Sequence, residues 1–382
     1  MILLSGPNIA GNEWKYVKEC LDTAWVSSVG AYVTQFEEML AQYTGRKYGV
    51  ATSSGTTALH ISLLLAGVER DDYVIVPNIT FVASLNSIKY TGANPILIDA
   101  DAESWQMDLN LLERFLNEDT EMVDGQCRLK KDGKVIRAIM PVHVLGNIGD
   151  MDKLMALADQ HGITIVEDST EALGSYYKGK SAGTFSEMGC FSFNGNKIIT
   201  CGGGGMIVTD NEELAQKAKH ITTQAKADKF EYYHDQIGYN YRLTNVAAAI
   251  GVGQMEQLPA FIKRKHEIKE FYCSELNGVG DIEFQKVEAD VNPNWWLFTI
   301  KTDRQEELLK ALNANRMQSR PFWVPMNQLP MFKDDLYITD QDVANQVYKK
   351  CLSIPCSTYI KDEELEAITD TIKKCYKEVL AS

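Results

Sequence analysis

The chain has 382 residues, of which 45% are hydrophobic, and this length favours a large domain followed by a smaller one. Its formal net charge of −14 argues against nonspecific binding to nucleic acid or to an anionic membrane surface. The eight cysteines are scattered and form no Cys-x-x-Cys pair, so neither a disulfide framework nor a metal site is expected. The N-terminus has no secretory signal pattern and the apolar runs are short, which predicts a cytoplasmic protein without a membrane span.

Helical and strand patterns alternate between about residues 35 and 210 and predict an α/β fold. Most of the predicted strands are continuous apolar runs, which is typical of a mostly parallel sheet with helices on both faces. The predicted strands are 48–51, 73–76, 95–98, 138–142, 163–166 and 189–193. A helix is predicted over 151–160, with Asp150 in the capping position.

Beyond the parallel region the pattern changes. The strand predicted at 206–209 follows its neighbour too closely for a helical crossover, so we expect it to be antiparallel. A helix-prone stretch at 244–256 leads to Pro259, and the rest of the chain has the pattern of an α+β unit. We therefore predict a large domain of residues 1–258 and a small C-terminal domain of residues 259–382.

Lys197 has the most informative position in the sequence. It ends the segment FSFNGNK, after an apolar run and before the glycines 202–205. A lysine between a buried strand and a glycine turn can present an amine to a carbonyl group in a pocket. The alternative is an ordinary surface lysine.

Asp168 ends the apolar run 163–166 together with Glu167. An acid at the carboxyl end of a buried strand points into the crevice where α/β proteins bind ligands. Because side chains alternate along a strand, Glu167 should face the opposite side, so we assign the ligand contact to Asp168. A helix-capping acid or a magnesium ligand is the alternative.

A phosphate-binding turn is predicted at Gly55 and Thr56, where a strand leads into a helix. Glycine permits close approach of the backbone, and the first amides of a helix bind anions. Ser192 can add a hydroxyl to the same phosphate. An ordinary Ser/Thr-capped helix would give the same local pattern.

An amine, a carboxylate and a phosphate cradle are the contacts that pyridoxal 5'-phosphate requires. In this interpretation Lys197 binds the cofactor covalently and carries protons, while Asp168 keeps the pyridine nitrogen protonated. Phe81 would stack on the ring and His143 would face the site, although both residue types are also common in buried cores. The motifs of P-loop enzymes, dinucleotide-binding domains and serine hydrolases are absent.

The order and spacing of Gly55-Thr56, Phe81, Asp168, Ser192 and Lys197 resemble the DegT/DnrJ group of nucleotide-sugar aminotransferases, nearly from end to end of the chain. The resemblance implies the fold type I architecture of pyridoxal phosphate enzymes. It also implies transfer of an amino group from L-glutamate to a nucleotide-linked keto-deoxy sugar. Related sugar dehydratases that use the pyridoxamine form typically replace this lysine with histidine. The remaining alternative is a non-catalytic, cofactor-binding regulator of the same fold.

Three segments look similar to one branch of this family, whose members aminate UDP-linked 4-keto-6-deoxy-N-acetylhexosamines on routes to bacillosamine and legionaminic acid. These segments are 167–171, 192–197 and 320–323. Glu171 occupies a position near the cofactor's 3'-oxygen where many members have His or Gln, and Asn194 replaces a common His. Val324 and Asn327 stand where Lys and His are expected in the branch.

The resemblance further implies a homodimer with both active sites at the interface. Asn240, in the segment GYNYR, matches an asparagine that reaches the cofactor phosphate of the other subunit; the alternative is a left-handed turn residue at a helix entry. The substrate-side candidates carried over by motif are Trp25, Ser27, Ser28 and Arg320. Arg320 can bind a carboxylate or a diphosphate through its planar guanidinium group, or can form a surface ion pair.

Overall fold

The computed structural model of the protein describes residues 1–228 and 230–380. Its strands are β1 (Tyr48–Thr52), β2 (Tyr73–Pro77), β3 (Asn94–Ile98), β4 (Thr120–Val123), β5 (Gln126–Leu129), β6 (Ile136–Ile139), β7 (Thr164–Asp168), β8 (Tyr176–Tyr177), β9 (Lys180–Ser181), β10 (Met188–Ser192), β11 (Gly205–Thr209), β12 (Glu283–Phe284), β13 (Val291–Asn292), β14 (Phe298–Lys301), β15 (Arg320–Pro321), β16 (Leu336–Ile338) and β17 (Cys351–Ile354).

The helices are α1 (Glu13–Asp22), α2 (Ala31–Thr44), α3 (Gly55–Leu65), α4 (Ala83–Thr91), α5 (Leu109–Asp119), α6 (Met151–Gln160), α7 (Glu212–Thr222), α8 (Asn245–Met255), α9 (Leu258–Leu276), α10 (Gln305–Ala314), α11 (Val343–Lys350) and α12 (Asp362–Leu380). Two short 3-10 helices cover Val144–Gly146 and Met326–Gln328. Within the described part of the chain, none of the helices is both long and apolar enough to cross a membrane.

The central sheet has eight strands in the order β1-β11-β10-β7-β6-β2-β3-β16. The strands from β10 to β16 pair in parallel, whereas β11 is antiparallel to both β10 and β1. The predicted α/β fold with a mostly parallel sheet is therefore confirmed, and so is the antiparallel strand after the glycine run. The middle residues of β2 and β3 are fully buried, as expected for strands covered on both faces.

The predicted helix signals also fit the structure. Asp150 accepts a hydrogen bond from the Lys153 amide at 3.0 Å and begins α6. Pro259 lies in the first turn of α9, where its missing N–H costs little. The helix-prone stretch predicted at 244–256 corresponds to α8, and the C-terminal part predicted as α+β contains α10, α11 and α12.

The C-terminal part of the chain forms a second sheet, with the strand order β12-β14-β17-β15. Segments on each side of residue 258 pair with strands on the other side, so the boundary between the two units is more complex than one position in the sequence. Strand β16 pairs with β3 in the central sheet, and Ile2 bridges to Met317 in the C-terminal unit. The proposed division into residues 1–258 and 259–382 stays a prediction, and each unit carries a segment from the other half of the chain.

Candidate active site

A cavity of about 580 Å³ lies between the carboxyl ends of the central strands and the C-terminal unit. It collects side chains from distant parts of the chain, as expected at the crevice of an open α/β sheet. The residues in its wall that carry the argument are Gly55, Thr56, Phe81, Asp168, Glu171, Ser192, Lys197, Trp296, Arg320 and Trp323.

The N-terminus of α3 forms one end of this cavity. Ser54 caps the helix: its hydroxyl oxygen accepts a hydrogen bond from the Thr57 amide at 3.1 Å. In return, the Ser54 amide donates a hydrogen bond to Oγ1 of Thr57 at 3.0 Å. The amides of Gly55 and Thr56 come from the first turn, where a helix has no internal acceptors for its N–H groups. This end of the cavity is therefore suited to an anion.

Gly55 is required by close packing at this point. A Cβ atom at this position would lie 2.7 Å from Cβ of Ser192 and 3.1 Å from Cγ2 of Thr170. The absence of a side chain lets the helix terminus approach strand β10. The hydroxyl of Ser192 is brought to the same end of the cavity.

Asp168 is almost fully buried and faces the cavity. Its Oδ2 accepts a hydrogen bond from the Ser84 hydroxyl at 2.7 Å, and its Oδ1 accepts one from the Thr170 amide at 3.1 Å. Thr80 Oγ1 lies 2.8 Å from Ser84 Oγ and extends this chain of hydrogen bonds. The carboxylate is held in one orientation, which suits a contact with a protonated ring nitrogen.

Glu167 points to the other face of the sheet, as the alternation along the strand predicts. Its Oε1 lies 2.8 Å from Nε2 of His143, and its Oε2 accepts a hydrogen bond from the Phe185 amide at 3.0 Å. This contact corrects the prediction for His143. The imidazole is buried against Glu167 outside the cavity, so His143 is a satisfied core histidine and does not touch a ligand there.

Lys197 is half-buried in the cavity wall, at the end of a turn in which its amide donates to the Asn194 carbonyl at 3.0 Å. Its Nζ lies 3.8 Å from the ring centroid of Trp296. Burial lowers the pKa of Lys197, while the negative charges of Glu171 and Asp168 act in the opposite direction. A depressed pKa increases the share of the neutral amine, which is the form that attacks a carbonyl.

Trp296 was not identified from the sequence. Its indole Nε1 donates to the carbonyl of Asn196 at 2.6 Å and so ties the C-terminal unit to the turn that carries Lys197. The residue precedes β14, about a hundred positions from Lys197, and no local motif connects the two. The Trp-Trp pair at 295–296 is the one sequence signal that could have directed attention to this position.

Glu171 is buried beside Lys197 and Asp168. Its Oε2 accepts a hydrogen bond at 2.8 Å from the amide of Leu145, a residue with a left-handed backbone (φ 62°). Burial raises the pKa of Glu171 to about 7, and the charge of Lys197 acts in the opposite direction. A carboxyl group with this pKa is partly protonated at neutral pH and can then donate a hydrogen bond to a ligand oxygen.

The opposite wall of the cavity comes from the C-terminal unit, through Arg320, Phe322 and Trp323. The Trp323 and Trp296 rings are nearly parallel, with an interplanar angle of 22° and centroids 6.4 Å apart. Arg320 is exposed and donates to the Ser319 carbonyl at 3.2 Å. Its guanidinium group therefore keeps most of its donors available for an anionic ligand.

Besides His143, four further predicted residues do not line the cavity of their own chain: Trp25, Ser27, Ser28 and Asn240. The carbonyls of Trp25 and Ser27 accept hydrogen bonds from Asn245, at 2.7 and 2.6 Å. Asn240 is exposed and forms an antiparallel bridge with Thr223.

The cavity fits a pyridine that carries an aldehyde and a phosphate. Lys197 supplies an amine with a lowered pKa, and Asp168 supplies an oriented carboxylate. The N-terminus of α3, where Gly55 has no side chain, supplies an anion site. Among the residues that the structure describes, no group of three or more His, Cys, Asp and Glu side chains is arranged to hold a metal ion.

Comparison with known proteins identifies similar chains. A family model described as the DegT/DnrJ/EryC1/StrS aminotransferase family matches residues 7–373. The GDP-perosamine synthase of Escherichia coli O157:H7 is 37% identical over 375 residues, which cover 97% of this chain and 98% of that protein. The UDP-N-acetyl-3-dehydro-alpha-D-glucosamine 3-aminotransferase of Acidithiobacillus ferrooxidans is 30% identical over 340 residues, which cover 88% and 87%. The crystal structure of S. venezuelae DesV aligns with a TM-score of 0.86 at 28% identity, covering 96% of this chain and 94% of that one.

Proposed function

Because the chain belongs to the DegT/DnrJ/EryC1/StrS aminotransferase family and is a transaminase that depends on pyridoxal 5'-phosphate, we propose that it moves an amino group from L-glutamate to a nucleotide-linked keto-deoxy sugar. The observation that carries the proposal is the meeting of three groups in one cavity. The Lys197 amine, the Asp168 carboxylate and the N-terminus of α3 all open into it.

The residues that would hold the cofactor follow from these positions. Lys197 would hold its aldehyde carbon covalently, and Asp168 would hold a proton on its ring nitrogen. Gly55, Thr56 and Ser192 would bind the phosphate. Phe81, which is 52% exposed on the cavity wall, offers a ring face for stacking. When bound, the cofactor supplies a conjugated ring that accepts an electron pair from the substrate carbon.

The protein's own part in the reaction is to move and hold protons. The depressed pKa of Lys197 makes its amine available as a base, so that Nζ can carry a proton between substrate and cofactor carbons. Glu171, when protonated, would donate a hydrogen bond to the oxygen beside the aldehyde. A protonated Glu171 would thus be a hydrogen-bond donor at the position where many members of the family have His or Gln.

Two classes of acceptor sugar are supported by different observations. The segments 167–171, 192–197 and 320–323 favour a UDP-linked 4-keto-6-deoxy-N-acetylhexosamine. A GDP-linked keto sugar is favoured by the 37% identity to a relative named GDP-perosamine synthase, against 30% to one named for a UDP sugar. In both cases Arg320 is the group that would bind the anionic part of the nucleotide sugar, and Trp323 lies beside it in the cavity wall.

We further propose that the protein is a homodimer in which each subunit completes the other's site. The segment that precedes Asn240 exposes large apolar side chains: Phe230 is 94%, Tyr232 is 90% and Ile237 is 84% exposed. Such a patch is typical of a surface that is covered by a partner. A second subunit would also supply Asn240 to the phosphate end, and Trp25, Ser27 and Ser28 to the sugar side.

The proposed function is tested in two steps. Purified protein is loaded with pyridoxal 5'-phosphate and mixed with L-glutamate, and the change in cofactor absorption is followed. The protein that has reacted with glutamate is then mixed with a panel of GDP- and UDP-linked 4-keto-6-deoxy sugars, with and without an N-acetyl group. We expect glutamate to convert the bound cofactor to its amino form, and we expect the protein to aminate sugars linked to at least one of the two nucleotides. A protein that reacts with glutamate but aminates none of these sugars would contradict the assignment of the acceptor.

A further inference from the structure

A pair of asparagines joins the two walls of the cavity without lining it. Asn78 follows β2 and is fully buried, and Asn327 is half-buried in the 3-10 helix Met326–Gln328 of the C-terminal half. Nδ2 of Asn78 donates to Oδ1 of Asn327 at 2.9 Å. Oδ1 of Asn78 accepts from the Asn327 amide, also at 2.9 Å.

The backbone fixes the orientation of both side-chain amides. Because the Asn327 N–H can only donate, the oxygen of the Asn78 amide must face it. The Asn78 nitrogen then points to Asn327 and needs an acceptor there, which Oδ1 of Asn327 supplies. The main chain of Asn78 adds two bonds: its amide donates to the Ile98 carbonyl at 2.8 Å, and its carbonyl accepts from the Met326 amide at 3.0 Å. Every polar group of Asn78 is therefore used.

On one side, Asn78 belongs to the same chain segment as residues that line the cofactor end of the cavity. It stands three residues before Phe81 and two before Thr80, whose hydroxyl belongs to the hydrogen-bond chain that ends on Asp168. Its main chain is fixed in the central sheet by the bond to Ile98. Asn78 is thus a rigid point at the carboxyl end of β2.

On the other side, Asn327 ends the segment that carries Arg320, Phe322 and Trp323. At its beginning this segment pairs with β17 in the smaller sheet. It then crosses to the central sheet and meets it at Asn78. The paired amides are consequently the place where the segment is held at a set distance from the cofactor end of the cavity.

We infer that the Asn78–Asn327 pair positions the wall formed by Arg320, Phe322 and Trp323, and thereby determines how well the site binds a nucleotide sugar. This inference rests on the proposed function. The two asparagines are positioning residues, since neither lines the cavity. A nucleotide sugar is long and must contact both walls, whereas glutamate is compact. Loss of the hydrogen bonds between the two asparagines should therefore weaken the binding of the nucleotide sugar, while the rate of the reaction with glutamate should change far less.

Two substitutions at one position separate this role from a general effect on folding. Asn327→Leu keeps the size of the side chain and the backbone N–H but removes the acceptor, so the buried Asn78 nitrogen loses its bond to Asn327. Asn327→Asp keeps an acceptor oxygen in the same place. Gln328→Leu is the neighbouring control, since Gln328 is exposed and bonds outward to Asn345 at 3.1 Å. Asn327→Ala replaces Asn327→Leu if the latter does not fold.

The measurement is the KM for the nucleotide sugar, together with the rate of the reaction with glutamate and the cofactor absorption of each variant. Asn327→Leu should raise this KM about tenfold, since the side-chain hydrogen bond that joins the two walls is lost. Asn327→Asp and Gln328→Leu should stay close to wild type, and all variants should keep the glutamate reaction and the cofactor spectrum. Equal KM values in the Leu and Asp variants, or an equal loss in the glutamate reaction, would overturn the inference. Failure of the proposed function is distinct, because wild-type protein would then aminate no nucleotide sugar.

Discussion

At the scale of single residues, the site depends on how Asp168 is held. A carboxylate that accepts hydrogen bonds from Ser84 and Thr170 has little freedom to turn away from the ring nitrogen of the cofactor. Replacement of Asp168 by asparagine keeps the shape but removes the negative charge that retains a proton there.

We predict that Asp168→Asn lowers the single-turnover rate with glutamate by at least about a hundredfold, the scale of a lost acid–base contribution. Ser84→Ala removes only one of the hydrogen bonds to the carboxylate, so its effect should be about tenfold. The rates are measured by stopped-flow absorption of the loaded proteins. A near-normal rate in Asp168→Asn would show that the ring nitrogen is protonated without this residue.

Glu171 gives a prediction for the pH dependence of stability. Burial raises its pKa to about 7 in the folded chain, from 4.5 in an open environment. As the pH rises through this interval, the unfolded state ionises while the folded state retains its proton, so the native state loses stability. Lys197 and Asp168 are the charged groups that face this carboxyl group.

In the cofactor-free protein, Glu171→Gln should remove this trend. Relative to wild type, the free energy of unfolding of the variant should rise between pH 4.5 and pH 7. Urea unfolding at several pH values measures the difference. If the difference between the two proteins does not change with pH, Glu171 does not bind a proton in the folded state in this range.

At this scale, the sequence identifies candidate site residues where the chemistry requires a particular residue type at the end of a strand. The positions of Asp168 and Lys197 could be predicted because Asp168 ends a buried strand and Lys197 follows one. Trp296 and Asn327 could not be predicted, because their contacts join segments that are about 100 and 250 residues apart. His143 lies outside the cavity, in contact with Glu167, because a histidine at a strand end can face either side of the sheet.

At the scale of elements, the close approach of α3 and β10 creates the anion site. Gly55→Ala introduces a Cβ atom 2.7 Å from Cβ of Ser192, which is shorter than such contacts allow. The helix terminus must shift, and the phosphate loses its alignment with the first amides. We expect the affinity for pyridoxal 5'-phosphate to fall about tenfold or more, measured by fluorescence titration.

Gly149→Ala is the matched control for this substitution. A Cβ atom there would lie 3.5 Å from Cβ of Gln106, an ordinary contact outside the cavity. The two variants carry the same chemical change, so they should differ in cofactor affinity while remaining folded. Equal affinities would mean that the packing of α3 against β10 does not shape the phosphate site.

The parallel strands, the antiparallel β11 and the capped helices could be predicted from continuous apolar runs, gap lengths and capping residues. Strand β16 could not, because three half-buried residues carry no periodic signal and its partner β3 lies about 240 positions earlier. The same long-range pairing places β16 in the central sheet, although it lies far beyond residue 258.

At the scale of the whole molecule, the proposed dimer makes each site depend on both chains. A mixture of Lys197→Ala and Asn240→Ala subunits tests this directly. A hybrid dimer contains one site with both residues intact and one with neither, whereas each parent dimer lacks one residue at both sites.

After joint refolding, random mixing makes half of the dimers hybrids with one intact site of two, so about a quarter of wild-type activity should return. Each variant refolded alone is the control and should stay inactive or weakly active. Activity is measured as glutamate-dependent amination at a low cofactor concentration, where loss of Asn240 has the greatest effect. Recovery no greater than the sum of the two parents would place Asn240 outside the partner's site.

The identity of the sugar depends on the cavity wall of Arg320, Phe322 and Trp323, which is formed by packing between segments far apart in the sequence. The sequence motifs favour a UDP-linked substrate, while overall similarity favours a GDP-linked one. Differences of this kind depend on contacts at the sub-ångström scale that local sequence patterns do not encode.

The central claim is that the Nζ of Lys197 binds the cofactor in this cavity. Protein loaded with pyridoxal 5'-phosphate is reduced with sodium borohydride and digested, and the modified peptide is sequenced by mass spectrometry. We predict one labelled lysine, Lys197, and no label at that stoichiometry in Lys197→Ala. A stoichiometric label on any other lysine would contradict the account.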